Sequence, residues 1–310
     1  MKLREVVCPD LNAALERWRG DGFRIDSIYP ADDPHSALLS RGDERVRLTT
    51  KPGSPLPGGL PPFVPEFVLS RADGSGGQGR AGMLYRDLVP GRLGGRYIAS
   101  HITIPEGGPV ADWVHYHRVA LQLIFVGRGW VRVVYEDQGE PFVMNEGDLV
   151  LQPPEIRHRV LESSPGLEVI EITAPALHET FADHEMALPN GHRPGRKFDR
   201  QRFLRHAAAD VPWTAFGGAQ AQQIALVNAT GGIAEARVIR PAGASGVAFA
   251  PHHGELVFGF VLDGTARLNA GEIGPADAFA IPPDEAWGLS GMSDSFRLLH
   301  VTTARLDAAA

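Results

Sequence analysis

Short apolar runs separated by glycine and proline recur along the whole chain. "LREVVCP", "FRIDSIYP", "HSALLS" and "RVRLTT" open the series; "YIASHITI", "HYHRVALQLIFV", "GWVRVVYE", "EPFVMNEGDLVLQPP", "HRVLES" and "LEVIEITAP" continue it. Runs of this length, bounded by turn residues, predict strands. One stretch departs: "DLNAALERW" places Leu11, Ala14, Leu15 and Trp18 at helical spacing behind Asp10, a residue type that caps helix N-termini. The chain is therefore expected to be mainly β, with a small α+β module over residues 1–50 in the order strand, helix, three strands.

Residues 51–82 read as a boundary, because "KPGSPLPGGLPPFVPEF" is proline-rich and "RADGSGGQGRAG" glycine-rich, and neither can build a core. "FVLS" within it is expected to form an edge strand. A first β unit is expected over 83–185, a charged connection over 186–210, and a second β unit over 211–310. The two units look like copies of one another. "GDLVLQPPEIRHRV" aligns with "ADAFAIPPDEAWGL", pairing Asp148 with Asp277 and Pro153-Pro154 with Pro282-Pro283; "QLIFVGRGWVRV" aligns with "VFGFVLDGTARL", pairing Gly129 with Gly264.

Composition narrows the chemistry. The 310 residues are 43% hydrophobic and 22% charged, enough for two or three globular domains. A net charge of -7 argues against a general nucleic-acid or anionic-membrane binder, which needs a basic surface. Cys8 is the single cysteine, so a metal within this chain would be held by histidine, carboxylate or amide. With no long apolar segment and no signal-like apolar core near the start, a cytoplasmic protein is expected.

His115 and His117 share a face if their segment is extended, since alternate strand residues point the same way. Together with Gln122, Gly129, Gly147, Pro153 and His158 they follow the two spacing motifs of the cupin superfamily. The chain resembles bicupins, tandem double-sheet jelly-roll barrels, over about residues 82–305. Three departures stand out: Gln122 occupies the family's glutamate position, the leading Gly108 is set one position further away, and Glu155 occupies the inner glycine of the second motif. The resemblance implies one divalent metal ion per chain, Fe, Mn, Zn or Ni, held by His115, His117, Gln122 and His158. In the second barrel the corresponding positions fall on Val257 and Trp287. His252 and His253 are consecutive and would face opposite ways, so that barrel is expected to be scaffold. The first 50 residues resemble a half-module of the glyoxalase and extradiol-dioxygenase superfamily, without its metal ligands, and are expected to be structural or a dimerisation element.

Four neutral ligands would leave the metal its full positive charge and favour a small anionic substrate. Arg86, Arg92, Arg96, Arg157 and Arg159 are candidate carboxylate partners, although Arg157 and Arg159 alternate away from His158. Tyr97 and His101 share strand parity and are candidate proton-transfer or orienting groups. His178 and His184 follow the barrel's last strand near its expected mouth. The ligand set resembles that of uronate-linearising cupins and certain polyketide cyclases, which implies Lewis-acid isomerisation, ring opening or lyase chemistry on a keto, enol or sugar acid. The layout of one live and one dead barrel resembles gentisate-type ring-cleaving enzymes, which implies an Fe(II) dioxygenase acting on a small aromatic or diketone. A non-enzymatic metal-bearing ligand-binding cupin is the third reading. Homodimerisation is expected from the family.

Overall fold

The computed structural model describes residues 3–53, 58–74, 77–78, 83–243, 246–269 and 271–306. Parts of the proline- and glycine-rich boundary and the last four residues lie outside the described residues.

The helix forms at Leu11–Gly20, where the Asp10 carboxylate accepts the Ala13 amide at 3.0 Å and Leu11 and Leu15 are buried. It lies with strands Arg4–Val7, Arg24–Tyr29, Ser36–Arg41 and Glu44–Thr49, the first strand parallel to the last. This module does not stand apart. Its Arg24–Tyr29 strand pairs with Thr180–Ala182, which pairs in turn with His115–His117. The sheet then continues through His158–Ser163 and Trp130–Tyr135 to Phe142–Asn145. The opposing sheet of the first barrel is built on Leu149–Leu151, Leu121–Arg128, Leu167–Ala174, Ile98–Ile104 and Leu84–Asp87. The second barrel repeats the arrangement with a seven-stranded and a four-stranded sheet.

Each barrel takes an edge strand from a connecting segment. Val68–Ser70, the expected "FVLS" strand, pairs with Ala278–Ile281 of the second barrel, while Leu204–His206 pairs with Leu149–Leu151 of the first. The duplicated aspartates secure both added strands. Asp148 accepts the Asn145 amide at 2.9 Å and the Ala208 amide at 2.8 Å; Asp277 accepts the Gly274 amide at 3.0 Å and the Ala72 amide at 2.9 Å. The paired turn glycines also match. Gly129 and Gly264 both have positive φ, 79° and 66°, and a Cβ at either would collide with a serine hydroxyl, that of Ser164 or Ser293.

The two barrels share one apolar core, in which Leu121, Leu123, Phe125 and Ile172 meet Phe258, Phe260, Leu299 and Val301. A buried ion pair crosses it: Arg96 reaches both oxygens of Glu255, at 2.8 and 3.0 Å, and the Tyr97 hydroxyl donates to Glu255 at 2.9 Å.

Candidate metal centre

His115 and His117 extend inward from one three-residue strand because the residue between them is anchored outside. The Tyr116 ring stacks on Phe181 with centroids 5.1 Å apart, and the Arg157 guanidinium lies 4.0 Å from the Tyr116 ring centroid. His158 is the direct cross-strand neighbour of His115. The turn leading to it holds Glu155 at φ 60°, the left-handed region where the family motif has glycine, which costs about 1–2 kcal/mol for a residue with a Cβ. Asp284, its counterpart in the second barrel, has φ 65°.

The three rings converge, with centroids 4.2 Å apart for His115–His158, 5.3 Å for His115–His117 and 5.4 Å for His117–His158. One potential ligand atom from each lies within 4.8 Å of the others, and all three residues are buried. Their Nδ1 atoms meet backbone carbonyls: Trp113 at 2.8 Å from His115, Glu179 at 3.1 Å from His117, and Ile156 at 3.0 Å from His158. A carbonyl only accepts, so each Nδ1 carries a proton, and in the neutral ring each Nε2 then carries the lone pair. Three neutral imidazoles held in that tautomer form a donor set suited to a divalent transition metal.

Gln122 lies on the wall beside them. Its amide nitrogen donates to Glu171 Oε1 at 2.7 Å, and the Thr173 hydroxyl donates to the same oxygen at 3.0 Å. The carboxylate can only accept from that amide, so the bond fixes which end of the glutamine meets Glu171 and leaves Oε1 as the end available for other partners. No carboxylate joins the three-histidine group among the described residues. Tyr135 completes this region: its ring stacks on His158 at 5.5 Å and its hydroxyl donates to Gln152 Oε1 at 2.5 Å. Burial, reinforced by Glu171, pushes the Tyr135 phenol far above its ordinary range, so it remains a neutral donor.

These residues line a cavity of about 120 Å³. Glu171, Tyr135, Gln152, Ser100 and His178 share it with the histidines, and none of these five was singled out for the pocket interior by sequence reasoning except His178, expected near the mouth. Glu171 had a legible signal, a charged residue at inward parity in the otherwise apolar "VIEI". His178 stands between this cavity and an outer one of about 660 Å³; its Nδ1 meets the Pro175 carbonyl at 3.2 Å, and its buried Nε2 has no hydrogen-bond partner. The N-terminal module also reaches the inner cavity through Ala31 and Asp32, with Asp32 paired to Arg92 at 2.6 Å.

Other sequence expectations are corrected. Tyr97 and His101 do share a face, but it is the one turned to the second barrel. Tyr97 sits in the shared core against Glu255 and Thr303, and His101 bonds Glu168 at 3.0 Å beside Phe260. The residues of that strand facing the cavity are Ile98, Ser100, Ile102 and Ile104. Among the described residues no arginine or lysine lines the inner cavity. Arg86 and Arg96 instead brace the second barrel, Arg92 serves Asp32 and Asp87, and Arg157 lines the outer cavity and pairs with Asp183. His184 bonds the Ile25 carbonyl at 2.7 Å on the surface.

In the second barrel Phe249 and Trp287 are cross-strand partners, as His115 and His158 are in the first, and their rings stack 3.8 Å apart. An aromatic pair thus fills the space of two histidines. His252 bonds the Ile281 carbonyl, and His253 bonds Asp284 in solvent.

Comparison with known proteins accords with this geometry. Residues 100–172 match the cupin domain family, and both barrels repeat the double-sheet arrangement. Residues 100–172 carry the cupin domain, and the chain has the two-barrel fold of the bicupins. Solved bicupins similar to it include an oxalate decarboxylase from Lactobacillus farciminis in complex with formate, with 13% identity and a TM-score of 0.58 over 80% of this chain and 87% of that one. Another is a deletion mutant of the oxalate decarboxylase of Bacillus subtilis, with 12% identity and a TM-score of 0.59 over 83% of this chain and 80% of that one. At these identities the likeness is one of fold. No curated protein matches the sequence.

Proposed function

We propose that the first barrel is the centre of a metal-dependent enzyme that moves a proton on a small anionic, oxygenated substrate, in isomerase- or lyase-type chemistry. His115, His117 and His158 would hold one divalent ion through Nε2, with the Gln122 amide oxygen as a fourth donor. Such an ion supplies a Lewis acid that polarises a substrate oxygen and makes a neighbouring C–H or C–C bond easier to break.

The observation that carries the reading is the 2.7 Å bond from Gln122 to Glu171. With glutamine at the motif's glutamate position, the site's carboxylate is supplied one strand away, outside the ligand group. A carboxylate that does not ligate the metal is free to accept a proton. Glu171 is the residue we assign to accept a proton from substrate, and Tyr135 and Gln152 form the neutral hydrogen-bonding wall beside it. The similar solved structures are named for action on oxalate, a small anion, in keeping with the substrate class.

The test is solvent-deuterium exchange into a panel of small 2-oxo acids under anaerobic conditions, followed by proton NMR. Glu171→Gln is expected to lower the exchange rate about 10²- to 10⁴-fold while retaining the metal; exchange at the wild-type rate would remove Glu171 from the role. The apolar part of the cavity wall supports a second reading, an Fe(II) dioxygenase acting on a small aromatic or diketone. Oxygen uptake with such a substrate, together with no anaerobic exchange, would replace the first reading with it.

A further inference from the structure

The cross-strand registers sort the cavity wall into layers. In the layer of the histidines, Ser100 lies opposite Glu171 and Tyr135 opposite His158. One step further along the same strands, Ile102 lies opposite Val169 and Val133 opposite Val160. A further step brings Ile104 opposite Leu167. All of these line the cavity, as does Met144, which is 1% exposed. The Tyr85 hydroxyl at this end is turned to the Met83 sulfur, 3.6 Å away. The cavity therefore has a polar end, where the histidines, Gln122 and Glu171 stand, and an apolar floor. Its volume of about 120 Å³ is somewhat below the ~150 Å³ of an apolar cavity that accepts benzene.

We infer that the substrate is a short 2-oxo or enol acid with a compact hydrocarbon tail of about one or two carbons, its oxygens at the histidine end and its tail on the Ile102–Val133–Val169 floor. This rests on the metal-centre reading above and narrows it. It replaces the sugar acid among the sequence expectations, because this floor offers the Tyr85 hydroxyl alone against otherwise apolar side chains, so most hydroxyl groups laid on it would lose water without gaining partners. Recognition of the anion falls to the metal end, since among the described residues no arginine or lysine lines this cavity.

The experiment is isothermal titration calorimetry of the full chain, reconstituted with Zn, against pyruvate, 2-oxobutanoate, 3-methyl-2-oxobutanoate and 4-methyl-2-oxopentanoate. A matched pair, 2-hydroxybutanoate and erythronate, keeps one carbon skeleton and adds two hydroxyls. Each added carbon is expected to tighten binding about four-fold until the floor is covered. Erythronate is expected to bind at least about ten-fold more weakly than 2-hydroxybutanoate. Val133→Thr, which keeps the shape and adds a hydroxyl, is expected to flatten the chain-length series while the metal content stays unchanged. A flat series in the wild type, an unaltered series in folded Val133→Thr, or erythronate binding as tightly as its partner would overturn the inference and leave the metal-centre reading standing. Binding of none of these acids by the Zn-loaded protein would overturn both.

Discussion

His115, His117 and His158 are held by three different backbone carbonyls, so the loss of any one ring leaves the other two aligned but removes a donor. His115→Ala and His158→Ala are each expected to lose the bound metal, and His252→Ala to keep it; elemental analysis of the three purified variants decides. A residue of the second barrel gives a pH prediction. His300 is fully buried beside Phe249 and Trp287, and burial, helped by Arg237 and His252, pushes its pKa down to about 3. The unfolded chain binds a proton at this residue below about pH 6.5, and the folded chain does not until about pH 3. Stability should therefore fall with pH through that window, by about 2 kcal/mol between pH 7 and 5 from this group. Urea titrations should show His300→Leu losing about that much less than the wild type over the same interval; equal losses would mean that His300 is not held neutral.

Strand alternation made His115 and His117 legible as a pair, since only the parity of an extended segment is needed to put both on one face. The same rule grouped Tyr97 with His101 without choosing the face. The Ile98–Ile104 strand is buried on both sides, one toward the cavity and one toward the second barrel, so apolar residues on both faces hid the direction. Tyr97 and Glu255 belong to the clamp between barrels. Glu255→Gln, which leaves the buried Arg96 charge uncompensated, is expected to cost about 3–5 kcal/mol in urea unfolding. Tyr97→Phe is expected to cost about 1 kcal/mol and to leave metal content unchanged. The added edge strand of the second barrel was legible only in part: "FVLS" reads as a strand, but its partner lies more than 200 residues away at Ala278–Ile281, a pairing that no local pattern encodes.

Across the whole molecule, the N-terminal module acquires a role that its own sequence does not announce. Its Arg24–Tyr29 strand holds Thr180–Ala182 in register, Ser27 bonds Glu179 at 3.1 Å, and Ala31 donates to the His178 carbonyl. Glu179 in turn supplies the carbonyl that orients His117. The module thus acts on the metal end at one remove and closes part of the cavity with Ala31 and Asp32. Excising residues 1–50 is expected to weaken metal affinity about 10- to 100-fold, as loss of a ligand-orienting partner does, measured by competition with a chelator. Unchanged affinity in a folded truncation would separate the module from the centre.

The most direct test of the central claim is the metal content of the full-length protein, purified without a histidine tag or added metal, beside Gln122→Ala and His158→Ala. One divalent ion per chain in the wild type, none in His158→Ala and weakened retention in Gln122→Ala is the predicted result. A wild type that takes up no divalent ion even when metal is supplied, or a His158→Ala protein that keeps a full equivalent, would contradict the account.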